Sequence, residues 1–164
     1  MKNQKLHNLA TLQKKVRTLQ RQGKRIVLTN GCFDLLHVGH VRYLAAARAL
    51  GDALIVAVNS DASVRGLKGI TRPIVSQKER LEVLAALGCV DYLILFGGTT
   101  PKKIIASLGP DVLVKGGDWA LENIVGREEV ERRGGEVARI KSVPGASTTH
   151  LIERILRRFR VVTP

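Results

Sequence analysis

Arg25-Ile26-Val27-Leu28-Thr29-Asn30-Gly31-Cys32-Phe33-Asp34-Leu35-Leu36-His37-Val38-Gly39-His40 starts as an apolar β-type run, passes through a glycine-bearing loop and enters a helical pattern over residues 41–50. Two histidines three residues apart therefore sit where a strand hands over to a helix. Backbone N–H groups at a helix start lack intrahelical partners and carry the positive end of the helix dipole, so such a junction suits a phosphate. Gly31 and Gly39 let a ligand approach the main chain, and the paired imidazoles add donors on the same side. A helix cap with a surface histidine, or half of a metal site, are the rival readings of the box. The second is weakened because only His7 and His150 remain and no cysteine cluster completes a zinc shell.

Outward from this stretch, two periodicities alternate. Leu6, Leu9, Leu12, Val16 and Leu19 recur at helical spacing, which predicts an amphipathic N-terminal helix stopped by Gly23, its lysines facing water and its apolar stripe open to a partner. Residues 53–58 form a continuous apolar run expected of a strand covered on both faces. Residues 60–75 read as a loop carrying Arg65, Gly66, Lys68, Gly69, Arg72 and Pro73. Ser76-Gln77-Lys78-Glu79 has capping-box form and opens a helix to about residue 87. A strand at 92–96, a helix with Pro101 at its first position and a strand at 112–114 follow. A helix at 127–133, a strand at 137–140 and a final helix capped by Ser147 complete the chain. Five strands alternating with helices predict a Rossmann-like three-layer α/β/α fold around a five-stranded parallel sheet. We expect one domain over residues 1–164, with the helix of residues 1–23 preceding a core at 25–158. Ligands bind at the carboxyl ends of such strands, where the His box, Asn59-Ser60-Asp61, Lys115-Gly116-Gly117-Asp118 and Ser147-Thr148-Thr149 all fall.

The 164 residues carry 27 Lys or Arg against 14 Asp or Glu, a formal charge of +13. Eight of those cations lie in the first 25 residues, which contain no acid. That balance fits a nucleic-acid binder, but aromatic residues make up only 4% of the chain and no zinc-finger spacing or basic zipper is present. An enzyme that handles two phosphorylated substrates gains equally from a positive field. No apolar run reaches the roughly 20 residues of a membrane span, and the first five residues lack a signal's apolar stretch, so a cytoplasmic location is expected. Cys32 and Cys89 form no Cys-x-x-Cys unit, consistent with reduced thiols. Cys32 lacks a flanking base and reads as part of the loop, not as a nucleophile.

The pattern Gly31-x-Phe33-Asp34-x-x-His37-x-Gly39-His40 resembles the signature of the nucleotidyltransferases with a His-x-Gly-His box, the cytidylyl- and adenylyltransferases. Ser147-Thr148-Thr149 resembles their second phosphate-binding motif, and the likeness runs from about residue 25 to 155. Leu67-Lys68-Gly69, Arg72-Pro73-Ile74, Thr100-Pro101, residues 110–118 and Gly145-Ala146-Ser147-Thr148-Thr149 are most similar to the members that adenylylate D-glycero-β-D-manno-heptose 1-phosphate. The resemblance implies ATP as substrate, Mg²⁺ shielding the leaving pyrophosphate, ADP-heptose for lipopolysaccharide core as product, no protein-held metal, and a homo-oligomer, a dimer above all. A relative using CTP with glycerol 3-phosphate, or one making FAD from FMN, is the alternative.

By the same resemblance His37, His40 and Lys115 are the catalytic candidates. Nucleotide contacts fall to Asn30, Gly31, Cys32, Phe33, Gly39 and His40 in the first loop, and to Arg80, Gly116, Asp118, Ser147, Thr148 and Thr149 beyond it. Asp34, Asn59, Asp61, Lys68, Arg72 and Trp119 are candidates for the sugar phosphate. Each has an ordinary alternative: Lys115 as a snorkelling surface lysine, Arg80 as an exposed helical arginine, Lys68 and Arg72 as solvated loop charges, Trp119 as a rim aromatic, and the Ser-Thr-Thr run as a helix cap.

Overall fold

Apolar residues of alternating direction build the sheet. In the computed structural model, which describes residues 4–117 and 119–159, five strands pair in parallel in the order β3-β2-β1-β4-β5. They are β1 (Ile26–Gly31), β2 (Ala53–Asn59), β3 (Tyr92–Phe96), β4 (Val112–Gly116) and β5 (Glu136–Ile140). Successive side chains point to opposite faces. Ile26, Leu28, Ile55, Ala57, Ile94 and Leu113 accordingly join one core, and Val27, Leu54, Val56, Leu93, Val112 and Val114 the other. All seven residues of β2 are buried, as a strand covered on both faces requires.

The helices supply the outer layers. On the first face lie α1 (Leu9–Arg21), α5 (Lys102–Leu108) and α6 (Arg127–Arg132), which contribute Leu12, Val16, Ile104, Ile105, Leu108 and Val130. On the second lie α2 (Val38–Arg48) and α4 (Gln77–Ala86), through Leu44, Ala47, Leu81 and Leu84. The Rossmann-like α/β class and the five-stranded parallel sheet expected from the sequence are both present.

Four readings are corrected. Residues 60–75 are not all loop: α3 spans Asp61–Lys68, started by Ser60, whose hydroxyl accepts from Ser63 N at 3.2 Å, and pinned by buried Ser63 and Val64. Gly66 within it suggested a breaker, yet a glycine costs only about 1 kcal/mol in a helix, less than the cap and the burial supply. The first helix begins at Leu9, with Asn8 as its cap. Residues 5–7 instead extend along the edge of β3 through Leu93 N to Lys5 O at 2.7 Å and His7 N to Leu93 O at 2.9 Å. The apolar stripe of α1 is not open to a partner, because Leu12 and Val16 are fully buried and Leu9 and Leu19 pack on the same core. Pro101 is the cap of α5 instead of its first helical residue.

The capping box is as expected: Ser76 N donates to Glu79 Oε2 at 3.1 Å and Glu79 N to Ser76 Oγ at 3.4 Å. The final helix, α7 (Thr148–Phe159), starts after Ser147, whose hydroxyl accepts from His150 N at 3.1 Å. No helix among the described residues is long and apolar enough to cross a membrane.

Candidate active site

β1 and β4 are neighbours, but the chain leaves β1 towards β2 and leaves β4 towards β5. Connections that diverge in this way open a crevice at the carboxyl edge of the sheet. At its floor the Lys115 ammonium at the end of β4 donates to Asn30 Oδ1 at the end of β1. Burial lowers the Lys115 pKa to about 8, which leaves the group mostly cationic at neutral pH. Its ammonium also lies 5.7 Å from the Trp119 ring centroid, within cation–π reach. Beneath this pair the Tyr43 hydroxyl of α2 meets Thr29 Oγ1 at 2.7 Å and the Val114 carbonyl at 3.2 Å, tying helix and both strands together.

The histidine box forms one wall. His37 caps α2 with extended backbone and makes no side-chain cap bond, so its imidazole is free to face the cleft. The rings of His37 and His40 stack with centroids 3.9 Å apart and planes 24° apart, and Phe33 meets His40 at 5.4 Å. Gly39 makes the stack possible: a Cβ there would lie 2.9 Å from the His37 ring and 3.1 Å from the Ala146 Cβ. Gly31 is likewise pressed against Phe33, which itself adopts φ +45°. Nδ1 of each histidine is buried with no hydrogen-bond partner. Burial, and then the neighbouring His37, lower the His40 pKa to about 4, and burial lowers that of His37. Both shifts favour the neutral imidazole. Burial raises the Cys32 thiol, which keeps it protonated and unsuited to nucleophilic attack.

Three expected ligand residues turn out to hold the loops in place. Arg80 was expected to meet nucleotide phosphates, but its side chain is wholly buried. It donates to the carbonyls of Val75 (3.1 Å), Cys32 and Asn59 (2.8 Å) and to Asp61 Oδ1 (2.8 Å). Neither Arg80 nor Asp61 lines the cleft. Asp34 accepts from Arg72 Nε at 2.6 Å, from Ile74 N at 2.9 Å and from Val75 N at 2.9 Å, so its oxygens serve residues 72–75 and not a substrate hydroxyl. Burial pushes its carboxyl up, but the two backbone bonds and Arg72 outweigh that and lower its pKa. Together Arg80 and Asp34 lash the His-box loop to the segments after β2 and before α4.

The cleft has a volume of about 720 Å³. The first loop lines it with Asn30, Gly31, Cys32, Phe33, Asp34, His37, Gly39 and His40. From elsewhere come Asn59, Lys68 and Arg72, then Lys115, Gly116 and Trp119, then Ser147, Thr148 and Thr149. Asn59 is buried and gives an amide proton to Ser63 Oγ at 2.8 Å. Thr148 Oγ1 donates to the Leu35 carbonyl at 3.3 Å, which docks the start of α7 on the His box. Asp118 lies outside the described residues. Tyr43, Thr99 and Ser142 also line the cleft and were not anticipated. Tyr43 falls two turns into a helix with nothing in its spacing to distinguish it, and Thr99 and Ser142 sit in segments of ordinary loop composition.

A family model described as cytidylyltransferase-like matches residues 28–154. The chain belongs to the cytidylyltransferase-like family. This member is 55% identical over 155 residues to the bifunctional protein HldE of Citrifermentans bemidjiense and 53% identical to that of Geobacter sulfurreducens. In both comparisons 94% of this chain is covered, and it spans 32% of the relative, about a third of its length. The crystal structure of the lipopolysaccharide core biosynthesis protein from Thermoplasma volcanium is 30% identical with a TM-score of 0.61, covering 74% of this chain and 98% of that one. The match includes the His box, Lys115 and the Ser-Thr-Thr turn within its bounds.

Two outcomes test this site. Arg80→Met leaves Asp61 and three carbonyls unpaired, and should lower the unfolding free energy by about 3–5 kcal/mol in urea titration. An arginine serving only the nucleotide would leave stability unchanged. The His40 imidazole should titrate near 4 in the free protein when its ring proton is followed by NMR, the signal vanishing in His40→Ala. Because that value lies below the 6.5 of an unfolded histidine, stability is complete above 6.5 and falls as pH drops towards 4. A midpoint at 6 or higher would contradict the burial of the ring.

Proposed function

We propose that this chain is the adenylyltransferase that joins ATP to D-glycero-β-D-manno-heptose 1-phosphate, giving ADP-heptose and pyrophosphate. The observation that carries the reading is the stacked His37–His40 pair, with unpartnered Nδ1 atoms, across the same cleft as the half-buried Lys115. Neutral imidazoles and a single low-pKa cation suit a substrate that brings its own charge. The sugar specificity draws on the resemblance of residues 67–74, 100–101 and 110–117, and on the identity to the HldE proteins.

The acceptor phosphate has a second pKa near about 6, so it arrives ionised and needs no strong base. One of its oxygens attacks the α-phosphorus of ATP. The new P–O bond forms as the bond to the bridging β-oxygen breaks, and that electron pair leaves with pyrophosphate. The protein aligns the two anions and neutralises charge on the transferring group. His37 and His40 would donate to the α- and β-phosphate oxygens, Lys115 would bridge α-phosphate and acceptor, and Ser147, Thr148 and Thr149 would hold the triphosphate tail at the start of α7. Lys68 and Arg72 would receive the acceptor phosphate. Arg72 keeps its Nη groups available while Asp34 fixes its Nε.

Among the described residues no group of three or more His, Cys, Asp or Glu is placed to hold a metal ion, and Asp34 and Asp61 are committed to arginines. Mg²⁺ in our reading enters as part of MgATP, carried by the phosphates. We further read the enzyme as a cytoplasmic dimer.

The direct test is pyrophosphate release from four nucleoside triphosphates against a panel of sugar and polyol phosphates. ATP with the heptose 1-phosphate should exceed every other pair, and preference for CTP with glycerol 3-phosphate would overturn the assignment. His40→Ala should lower turnover by about a hundredfold or more with the fold intact, the loss expected of one donor to transition-state charge. Lys115→Ala and Ser147→Ala should chiefly raise the ATP concentration needed for half-maximal rate.

A further inference from the structure

A second cleft, of about 790 Å³, adjoins the first. Leu36, His37 and Val38 form one side of it, residues 143–147 the base, and α7 the other side with His150, Arg154, Arg157 and Arg158. The three arginines occupy positions i, i+3 and i+4, which places them on one face of the helix. Among the described residues none of them pairs with a carboxylate, and Glu153 is the only acid lining the cleft. Like charges at this spacing oppose each other and weaken the helix. In α6, by contrast, Arg127 pairs with Glu131 and Arg132 with Glu129. The stripe on α7 is therefore a concentrated, uncompensated cationic wall.

Its location gives the wall a use. The two clefts share His37, Val143, Ala146 and Ser147, and the second includes none of Asp34, Lys68 and Arg72. In an in-line displacement the leaving group departs on the side opposite the nucleophile. In the adenylyl-transfer reading, a triphosphate tail held by His37 and Ser147 would touch the common partition, while Lys68 and Arg72, read as acceptor contacts, lie outside the second cleft. We propose that this arginine-lined groove is a binding site for inorganic pyrophosphate, receiving the leaving group as it moves past His37 and Ser147. Guanidinium groups match phosphate geometry with paired donors, and three of them in one stripe fit a ligand with two phosphoryl groups. The inference rests on the adenylyl-transfer reading for the origin of the pyrophosphate, but not for the binding itself.

The test is equilibrium calorimetry on the full chain, with inorganic pyrophosphate and, separately, a non-hydrolysable ATP analogue, at fixed ionic strength. The triple variant R154Q/R157Q/R158Q should weaken pyrophosphate binding by about tenfold or more, as loss of charge-assisted bonds predicts. Its affinity for the ATP analogue should stay within about twofold, which also reports that the fold survives. E153Q, which removes the one acid and disturbs no arginine pairing, should tighten pyrophosphate severalfold. Unchanged pyrophosphate affinity in the triple variant would overturn the proposal. So would an equal loss for pyrophosphate and the analogue, because the arginines would then belong to the triphosphate site. Neither measurement includes an acceptor, so a failure to transfer adenylate to any sugar phosphate would leave these outcomes readable and count only against the function proposed above.

Discussion

A parallel sheet buried on both faces cannot satisfy its strand ends with hairpins. Each strand must be followed by a crossover that leaves over the carboxyl edge and returns along a face. At β1 and β4 these crossovers part in opposite directions, and the gap they leave cannot be filled by the sheet itself. Asn30 and Lys115 meet across that gap, Tyr43 braces it from below through Thr29 and Val114, and the His-box loop rises beside it. Both cores and the cleft follow from this one topological requirement.

The charge distribution divides into two kinds of work. Arg80, Asp34, Asp61 and part of Arg72 are consumed in holding loops together, and the short polar bonds among them explain why Arg80 and Asp34 lie almost without solvent exposure. Burying ions in this way stabilises only because every donor and acceptor finds a partner, and loss of one member leaves the rest uncompensated. In the cleft the reverse holds. Among the described residues, His37 and His40 keep buried nitrogens without partners, and Lys115 meets Asn30 Oδ1 and has a lowered pKa. Buried polar groups without partners are costly, and in the proposed function phosphate oxygens would offset that cost. The same logic, carried to the outer face of α7, makes an unpaired arginine stripe beside the cleft a place for a released anion.

The formal charge of +13 looked at first like the mark of a nucleic-acid partner. Its distribution is less uniform than the total suggests. Lys14 and Lys15 on α1 face solvent, whereas Lys68, Arg72 and Lys115 converge on the cleft and Arg154, Arg157 and Arg158 on its neighbour. A field of this shape draws phosphorylated small molecules towards two adjoining openings.

Local chemistry determined much of this protein from the sequence by itself. Short apolar runs specified five strands, the Ser76–Glu79 box specified a helix start to the residue, and Gly39 marked a place where the main chain is approached closely, in the structure by the His37 ring and Ala146. These signals act over a few residues, so they are readable without the fold. Only the tertiary structure decided the rest. Arg80 and Asp34 carry the same residue types as a phosphate or hydroxyl binder, and their use as loop anchors depends on carbonyls and amides up to 48 positions away. Tyr43 joined the site because α2 crosses β1 and β4, α3 formed because Val64 found a core to enter, and the arginines of α7 gained a groove because Thr148 docks that helix on Leu35. Long-range packing chooses the partner of each polar group, and no local spacing encodes that choice.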